Sequence, residues 1–297
     1  MSKYKIAILT SFADINHGYS LTGIVEDQCR MLVSYGHEVH LFVCSHFKDK
    51  EVDKLFQHDP WTKEAVKVHR DVPFAHLIDY RKEADLSEDH KEVVEQTGRM
   101  LEEQLILLDI SIVFSHDWLF TGWNLPYGLG ILKAVQNPKL HPIAWMHWIH
   151  SVPSMSFDWW DIRRWGSRHK LIYPNKTDAQ RVAEQYKCAS SYVIPIPHIK
   201  DYRSYWEFDE DTYKFIADFP GVMQSDIVKI YPARTDRLTA KRVDKIIAIF
   251  KEFNNMKFKV CLVIANQWAT GRQRKEDLEK YYKRVRLSGL KINEEVI

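Results

Sequence analysis

Two cations near the carboxyl end of the chain carry the strongest chemical signal. The stretch IVKIYPARTDRLTAKRVDKIIAIF, Ile227 to Phe250, sets Arg234 and Lys241 on the turn between an apolar strand and an amphipathic helix. A strand-to-helix turn offers free backbone N–H groups and the positive end of a helix dipole, and both favour an anion. Arg234 can fork across two phosphate oxygens while Lys241 supplies a point charge, a division of labour that suits a departing diphosphate. Charge alone supports a plainer reading as well, in which Arg234, Arg237, Lys241, Arg242 and Lys245 solvate one face of a helix. The elements around the turn decide between them.

Short apolar runs alternate with longer helical patterns almost throughout, which predicts an α/β protein with a parallel sheet and crossover helices. Strands are expected at Lys5–Leu9, Glu38–Cys44, Ile110–Phe114, Pro142–Met146, Lys170–Tyr173 and Tyr192–Ile196, and helices at Gly23–Tyr35, Ser87–Leu108, Leu129–Val135 and Thr177–Gln185. These make one doubly wound domain over residues 1–200. The segment Pro195–Asp226, rich in Pro, Asp, Tyr and Trp, reads as the crossing into a second domain over residues 201–297. There the pattern restarts as strand Val228–Tyr231, helix Val243–Phe253, strand Lys259–Ala265, helix Lys275–Arg286 and the beginning of a strand at Glu295–Ile297. Two or three parallel strands leave an open edge and a half-covered core, so the second domain reads as incomplete.

Composition narrows the class of partner. The 297 residues suffice for roughly two domains. With 42 Lys and Arg against 40 Asp and Glu, no global field draws the chain to nucleic acid or to a membrane surface. Cys29, Cys44, Cys188 and Cys261 are far apart and form no C-x-x-C, which fits a reducing cytoplasm. The N-terminus, MSKYKIAILTSF, enters a strand without a long apolar leader, and no segment reaches the apolar length of a membrane span.

The first strand opens into the loop FADINHGYSLTG, where Gly18 and Gly23 let backbone approach a ligand at the carboxyl end of the strand, the usual binding edge of an open α/β sheet. A G-x-G-x-x-G fingerprint is absent, which disfavours a dinucleotide dehydrogenase. Gly36, in SYGHEV, reads as a helix C-cap. Seven of the ten tryptophans fall between Trp118 and Trp165, namely Trp118, Trp123, Trp145, Trp148, Trp159, Trp160 and Trp165. Most are expected in the core. If exposed, the same rings beside Arg163, Arg164, Arg168 and Lys170 would suit a sugar face or a polyanion. The histidine pairs lack the carboxylate and cysteine spacing of a zinc site, and no acidic motif sits at a strand end, so no metal is expected.

A first strand, a glycine-bearing loop, a helix, GHEV with a second strand, DISIVFSHDW at Asp109–Trp118, the segments HPIAWMHW and VIPIP, and IYPAR with a following lysine together resemble the retaining family 4 glycosyltransferases of the GT-B fold, the group that includes glycogen synthase. The resemblance spans essentially the whole chain but part of the family's usual length. It implies two Rossmann-like domains and transfer of a sugar, with retention, from a nucleotide-diphosphate sugar to an acceptor hydroxyl, with no other cofactor. By position it implies that Arg234 and Lys241 hold the donor diphosphate with Gly18, and that His147, just beyond the Pro142–Met146 strand, faces the sugar with His150 a close second. It implies that His116, Asp117, His150 and Trp118 line the acceptor side. Two departures stand out. Tyr19 and Ser20 occupy the positions of the family's adjacent glycine pair, and the second donor element, with its two glutamates, would fall beyond Ile297. Two other readings therefore stay open: an acceptor-binding subunit or half of a split transferase completed by a second polypeptide, and a transferase acting on a hydroxylated base in DNA.

Overall fold

A computed structural model describes residues 2–16, 19–150, 159–198, 208, 210–232, 242–265 and 283. The chain divides into two compact units, Met1–Lys200 and Asp201–Ile297. In the first unit, β1 (Lys5–Leu9), β2 (Glu38–Cys44), β3 (Lys67–Val72), β4 (Ile112–His116), β5 (Ala144–Trp148), β6 (His169–Tyr173) and β7 (Val193–Pro195) form one sheet of order β3-β2-β1-β4-β5-β6-β7. Every pairing is parallel. The order runs one way from β1 to β3 and the other way from β4 to β7, so the switch point lies between β1 and β4.

Strand residues alternate between two cores, as the period of two requires. On one face, Ile6, Ile8, Val39, Leu41, Phe114 and Trp148 pack against Leu21, Ile24, Val25, Cys29 and Leu32 of helix α1 (Ser20–Ser34). On the other, Ala7, Leu9, Val113, Trp145 and Leu171 meet Leu101 and Leu105 of the long helix α4 (Glu88–Leu107) and Ile131 and Ala134 of α5 (Leu125–Ala134). Burial on both faces is what an all-parallel sheet needs. Helices α4 and α5 approach closely because residue 130 is glycine; a Cβ there would lie 2.5 Å from the Thr97 methyl. Helix α1 ends on Gly36, whose φ of 79° lets the His37 N–H reach the Leu32 carbonyl at 3.1 Å, the left-handed stop expected from the sequence. Ser87 caps α4 by accepting from the His90 N–H at 3.3 Å.

Three elements escape sequence reading. The edge strand β3, KVHRDV, is largely polar and only its last residue is buried, so no apolar run marks it. Helices α2 (Asp49–Leu55) and α3 (Pro60–Ala65) are too short to show a period; α3 starts where Asp59 accepts from the Thr62 N–H and from Arg30. Both β4 and β5 run two residues further than expected. The aliphatic signal stops at Phe114 and Met146, but Ser115, His116, His147 and Trp148 continue the ladder in register. Helix α6 spans Ala179–Gln185.

The second unit holds α7 (Glu210–Asp218), β8 (Ile227–Pro232), α8 (Val243–Asn255) and β9 (Val260–Ala265), with β8 and β9 parallel. Val243, Ile247 and Phe250 form the buried stripe of α8, while Val228 and Ile230 of β8 are exposed. The predicted Glu295–Ile297 strand and, apart from residue 283, the Lys275–Arg286 helix lie outside the described residues. Among those that are described, no helix is long and apolar enough to cross a membrane.

Candidate functional site

The chain leaves β4 through an abrupt turn. Asp117 takes a left-handed conformation, φ 61°, and donates its N–H to the Trp148 carbonyl at 3.1 Å. Such a φ costs a non-glycine residue about 1 kcal/mol or more and is held by its surroundings. The turn sends Trp118 back into the core, where it stacks on Tyr127 with ring centroids 5.0 Å apart. It keeps the Asp117 carboxyl at the sheet edge, 7% exposed. Oδ2 accepts from the Tyr19 hydroxyl at 3.4 Å, and burial pushes the carboxyl up to about 7. Tyr19 immediately precedes α1, so its hydroxyl reaches across the switch point to the residue that follows β4. The intervening loop is pinned by Glu51 of α2, which accepts from the Ile15 N–H at 2.9 Å.

Beside Asp117 lies a row of imidazoles. His116 Nε2 faces the amide oxygen of Gln28, on α1, at 2.9 Å, and His116 Nδ1 lies 3.3 Å from His150 Nε2. The His116 and His150 rings stack 5.6 Å apart, and His198, just past β7, stacks on His150 at 5.4 Å. Trp148 underlies His116 at 5.7 Å. Burial holds His116 well below the ordinary histidine range and His150 down to about 4, so both rings are neutral at pH 7. The 3.9 Å approach of His150 Nε2 to Asp117 Oδ1 is therefore a dipolar contact rather than an ion pair. Four atoms of this contiguous cluster are buried with no hydrogen-bond partner among the described residues: Gln28 Nε2, Asp117 Oδ1, Trp148 Nε1 and His150 Nδ1. Leaving such groups unpaired costs about 1–3 kcal/mol each. A polar ligand is the natural completion.

His147 is placed otherwise. Because β5 extends to Trp148, His147 is a strand residue, 1% exposed, rather than the first residue beyond the strand. Its Nδ1 lies 2.8 Å from Ser115 Oγ and its Nε2 lies 2.9 Å from His169 Nδ1, so both nitrogens are engaged inside the α4/α5 face. His150 takes the position past the strand that the resemblance gives to His147. Trp118 is likewise corrected: fully buried, it has no face to offer an acceptor. Of the seven clustered tryptophans, Trp118, Trp145, Trp148, Trp159 and Trp165 are buried, and Arg163 and Arg164 both pair with Asp161. Most of the cluster is core; among the described residues Trp123 is exposed and Trp160 half-buried. Gly18, Arg234 and Lys241 lie outside the described residues.

Sequence reading missed Gln28 and the reach of Tyr19. Gln28 did leave a trace, as a polar residue inside the apolar stripe of α1. Among the described residues no group of three or more His, Cys, Asp or Glu is placed to hold a metal ion. A cavity of about 290 Å³ under the start of β6, lined by Leu140, His141, Trp165 and Arg168, lies at the opposite end of the sheet.

No protein-family profile matches the sequence, and neither does any curated protein. Solved structures do. A glycosyltransferase from Rickettsia africae ESF-5 matches with a TM-score of 0.59 at 10% identity, over 98% of this chain and 66% of that one. Anabaena HepE in complex with UDP and glucose matches with a TM-score of 0.52 at 12% identity, over 97% of this chain and 67% of that one. Sucrose-phosphate synthase from Thermosynechococcus elongatus follows with a TM-score of 0.50 at 13% identity, over 94% and 68%. The chain thus spans about two thirds of the length of the structures it matches. At these identities the likeness is one of fold, and the fold is the α/β architecture of GT-B glycosyltransferases.

Proposed function

We propose that this chain belongs to an enzyme that transfers a sugar from a nucleotide-diphosphate sugar to an acceptor hydroxyl, with retention. The observation that carries the proposal is the set of buried polar atoms, without partners among the described residues, at the switch point of a doubly wound sheet, the place where such sheets bind ligands. Matched folds that hold UDP and glucose support the donor class.

In this reading Asp117 and His150 hydrogen-bond hydroxyl groups at the carboxyl edge of the first sheet, while His116, with both nitrogens engaged, orients His150. His150, rather than the enclosed His147, faces the reacting sugar. The acceptor oxygen bonds to the anomeric carbon as the bond from that carbon to the diphosphate oxygen breaks, and the hydroxyl proton leaves with the diphosphate. Charge on the departing group is the main catalytic target, and Arg234 and Lys241 supply the compensating cations. Asp117 keeps its carboxyl near neutrality, so it can donate to one hydroxyl or accept from another.

The test is hydrolysis or transfer from a panel of nucleotide-diphosphate sugars by the chain and by its Arg234→Ala and Lys241→Ala variants. Loss of turnover by 100-fold or more together with weakened nucleoside-diphosphate binding is expected. Unchanged turnover and affinity in both variants would remove the diphosphate assignment.

A further inference from the structure

We propose that Gln28 is a positioning residue: through His116 it fixes the tautomer of His150, so that His150 presents a bare Nδ1 lone pair to a hydroxyl hydrogen of the bound substrate. The substrate part of this inference rests on the glycosyltransferase reading above; the tautomer part does not.

A hydrogen bond between two neutral imidazoles needs one N–H and one lone pair, so a row of them can run in only two directions. The direction is set at the ends. At the inner end, the Gln28 amide oxygen lies 2.9 Å from His116 Nε2 and can only accept, which places the His116 proton on Nε2. His116 Nδ1 is then a lone pair, and the contact of 3.3 Å requires a proton on His150 Nε2. The Asp117 carboxyl oxygen 3.9 Å from that same nitrogen favours the proton there when the carboxyl is ionised. Turning the Gln28 amide over would reverse the whole row and bring two electron-rich atoms, His150 Nε2 and Asp117 Oδ1, face to face. With both protons on Nε2, the free Nδ1 of His150 accepts and does not donate. It is buried and has no partner among the described residues. The ligand group that fits it is an O–H donor, as a sugar or acceptor hydroxyl is.

Long-range 1H–15N spectra of the intact chain at pH 8 read the tautomers directly. The expected result is the Nε2–H form at both His116 and His150. Gln28→Met, similar in length but without the amide, should release the row and bring a substantial Nδ1–H population to His150; Gln28→Lys, a donor, should invert it. In transfer assays Gln28→Met should lower kcat/KM about tenfold. A proton on His150 Nδ1 in the wild-type chain would overturn the proposal, and so would a His150 tautomer unaltered in Gln28→Met. The wild-type spectrum decides even if the variants fail to fold. Absence of any transfer activity, with the tautomers as expected, would instead count against the glycosyltransferase reading alone.

Discussion

Two rows of hydrogen-bonded histidines lie on opposite faces of the same sheet. Ser115, His147 and His169 cross β4, β5 and β6 beneath α4 and α5, and both His147 nitrogens are paired. Gln28, His116 and His150 lie at the carboxyl edge on the α1 side, and the row ends on a nitrogen with no partner among the described residues. The residue types are alike, and His147 and His150 are three positions apart. What separates them is where β5 stops. A histidine inside the ladder must find its partners within the protein, whereas one just past the ladder's end can be left for a ligand. A closed row contributes to the fold; an open one leaves polar groups unpaired, and the surrounding structure must bear that cost.

The largest effects should come from the enclosed side. Trp118→Ala removes a fully buried ring stacked on Tyr127 and is expected to cost about 3–5 kcal/mol in chemical denaturation. A loss below about 1 kcal/mol would put Trp118 back at the surface and reopen its role in acceptor binding. His147→Ala should cost about 2–4 kcal/mol, because it leaves both a cavity and unpaired groups on Ser115 and His169, with no change in substrate KM for the protein that remains folded.

Acid and base should act on the buried histidines and on Asp117 in opposite directions. Burial holds His169 down to about 4 and His147 well below the ordinary range. Because the unfolded chain takes up protons below about 6.5, the stability these rings contribute is present above that pH and is lost as the pH falls towards 4. Asp117 behaves inversely. Its carboxyl titrates at about 7 in the fold and near 3.9 when unfolded, so its contribution is favourable at low pH and is lost as the pH rises through that window. Asp117→Asn should therefore stabilise the protein at pH 8 by roughly 1–3 kcal/mol and do nothing at pH 3.5, as read by melting at the two pH values. Equal effects at both would mean that the carboxyl is not buried as described. The smallest effect on stability belongs to His150→Ala, within about 0.5–1 kcal/mol of the parent, yet that variant should lose tenfold or more in transfer. A stability loss as large as that of His147→Ala would erase the distinction between the rows.

The sheet was legible because aliphatic runs such as KIAIL and EVHLFVC are bounded by turn signals, and the parallel arrangement followed from the helices between them. What could not be read was where a strand ends when its last residues are polar. Ser115, His116 and His147 look like loop residues by type, but paired with one another they are ladder residues, and nothing local announces the pairing. The assignment of the sugar-facing role to His147 rested on a strand drawn two residues short. The placement of His116, Asp117 and His150 at the sheet edge depended on the edge itself rather than on an end point. Gln28 was hidden for another reason. A lone glutamine in an apolar helical stripe signals a buried hydrogen bond, but its partner is 88 positions away. The cluster of tryptophans around residues 118–165 was read correctly as mostly core, since rings dense in sequence are spread through the interior of the fold.

The most direct test of the open row is a titration with a nucleoside-diphosphate sugar such as UDP-glucose, followed through the histidine ring signals of the intact chain. The account predicts that His150 and His116 shift to saturation while His147 and His169 stay where they are. Shifts at His147 and His169 with His150 unmoved would contradict it.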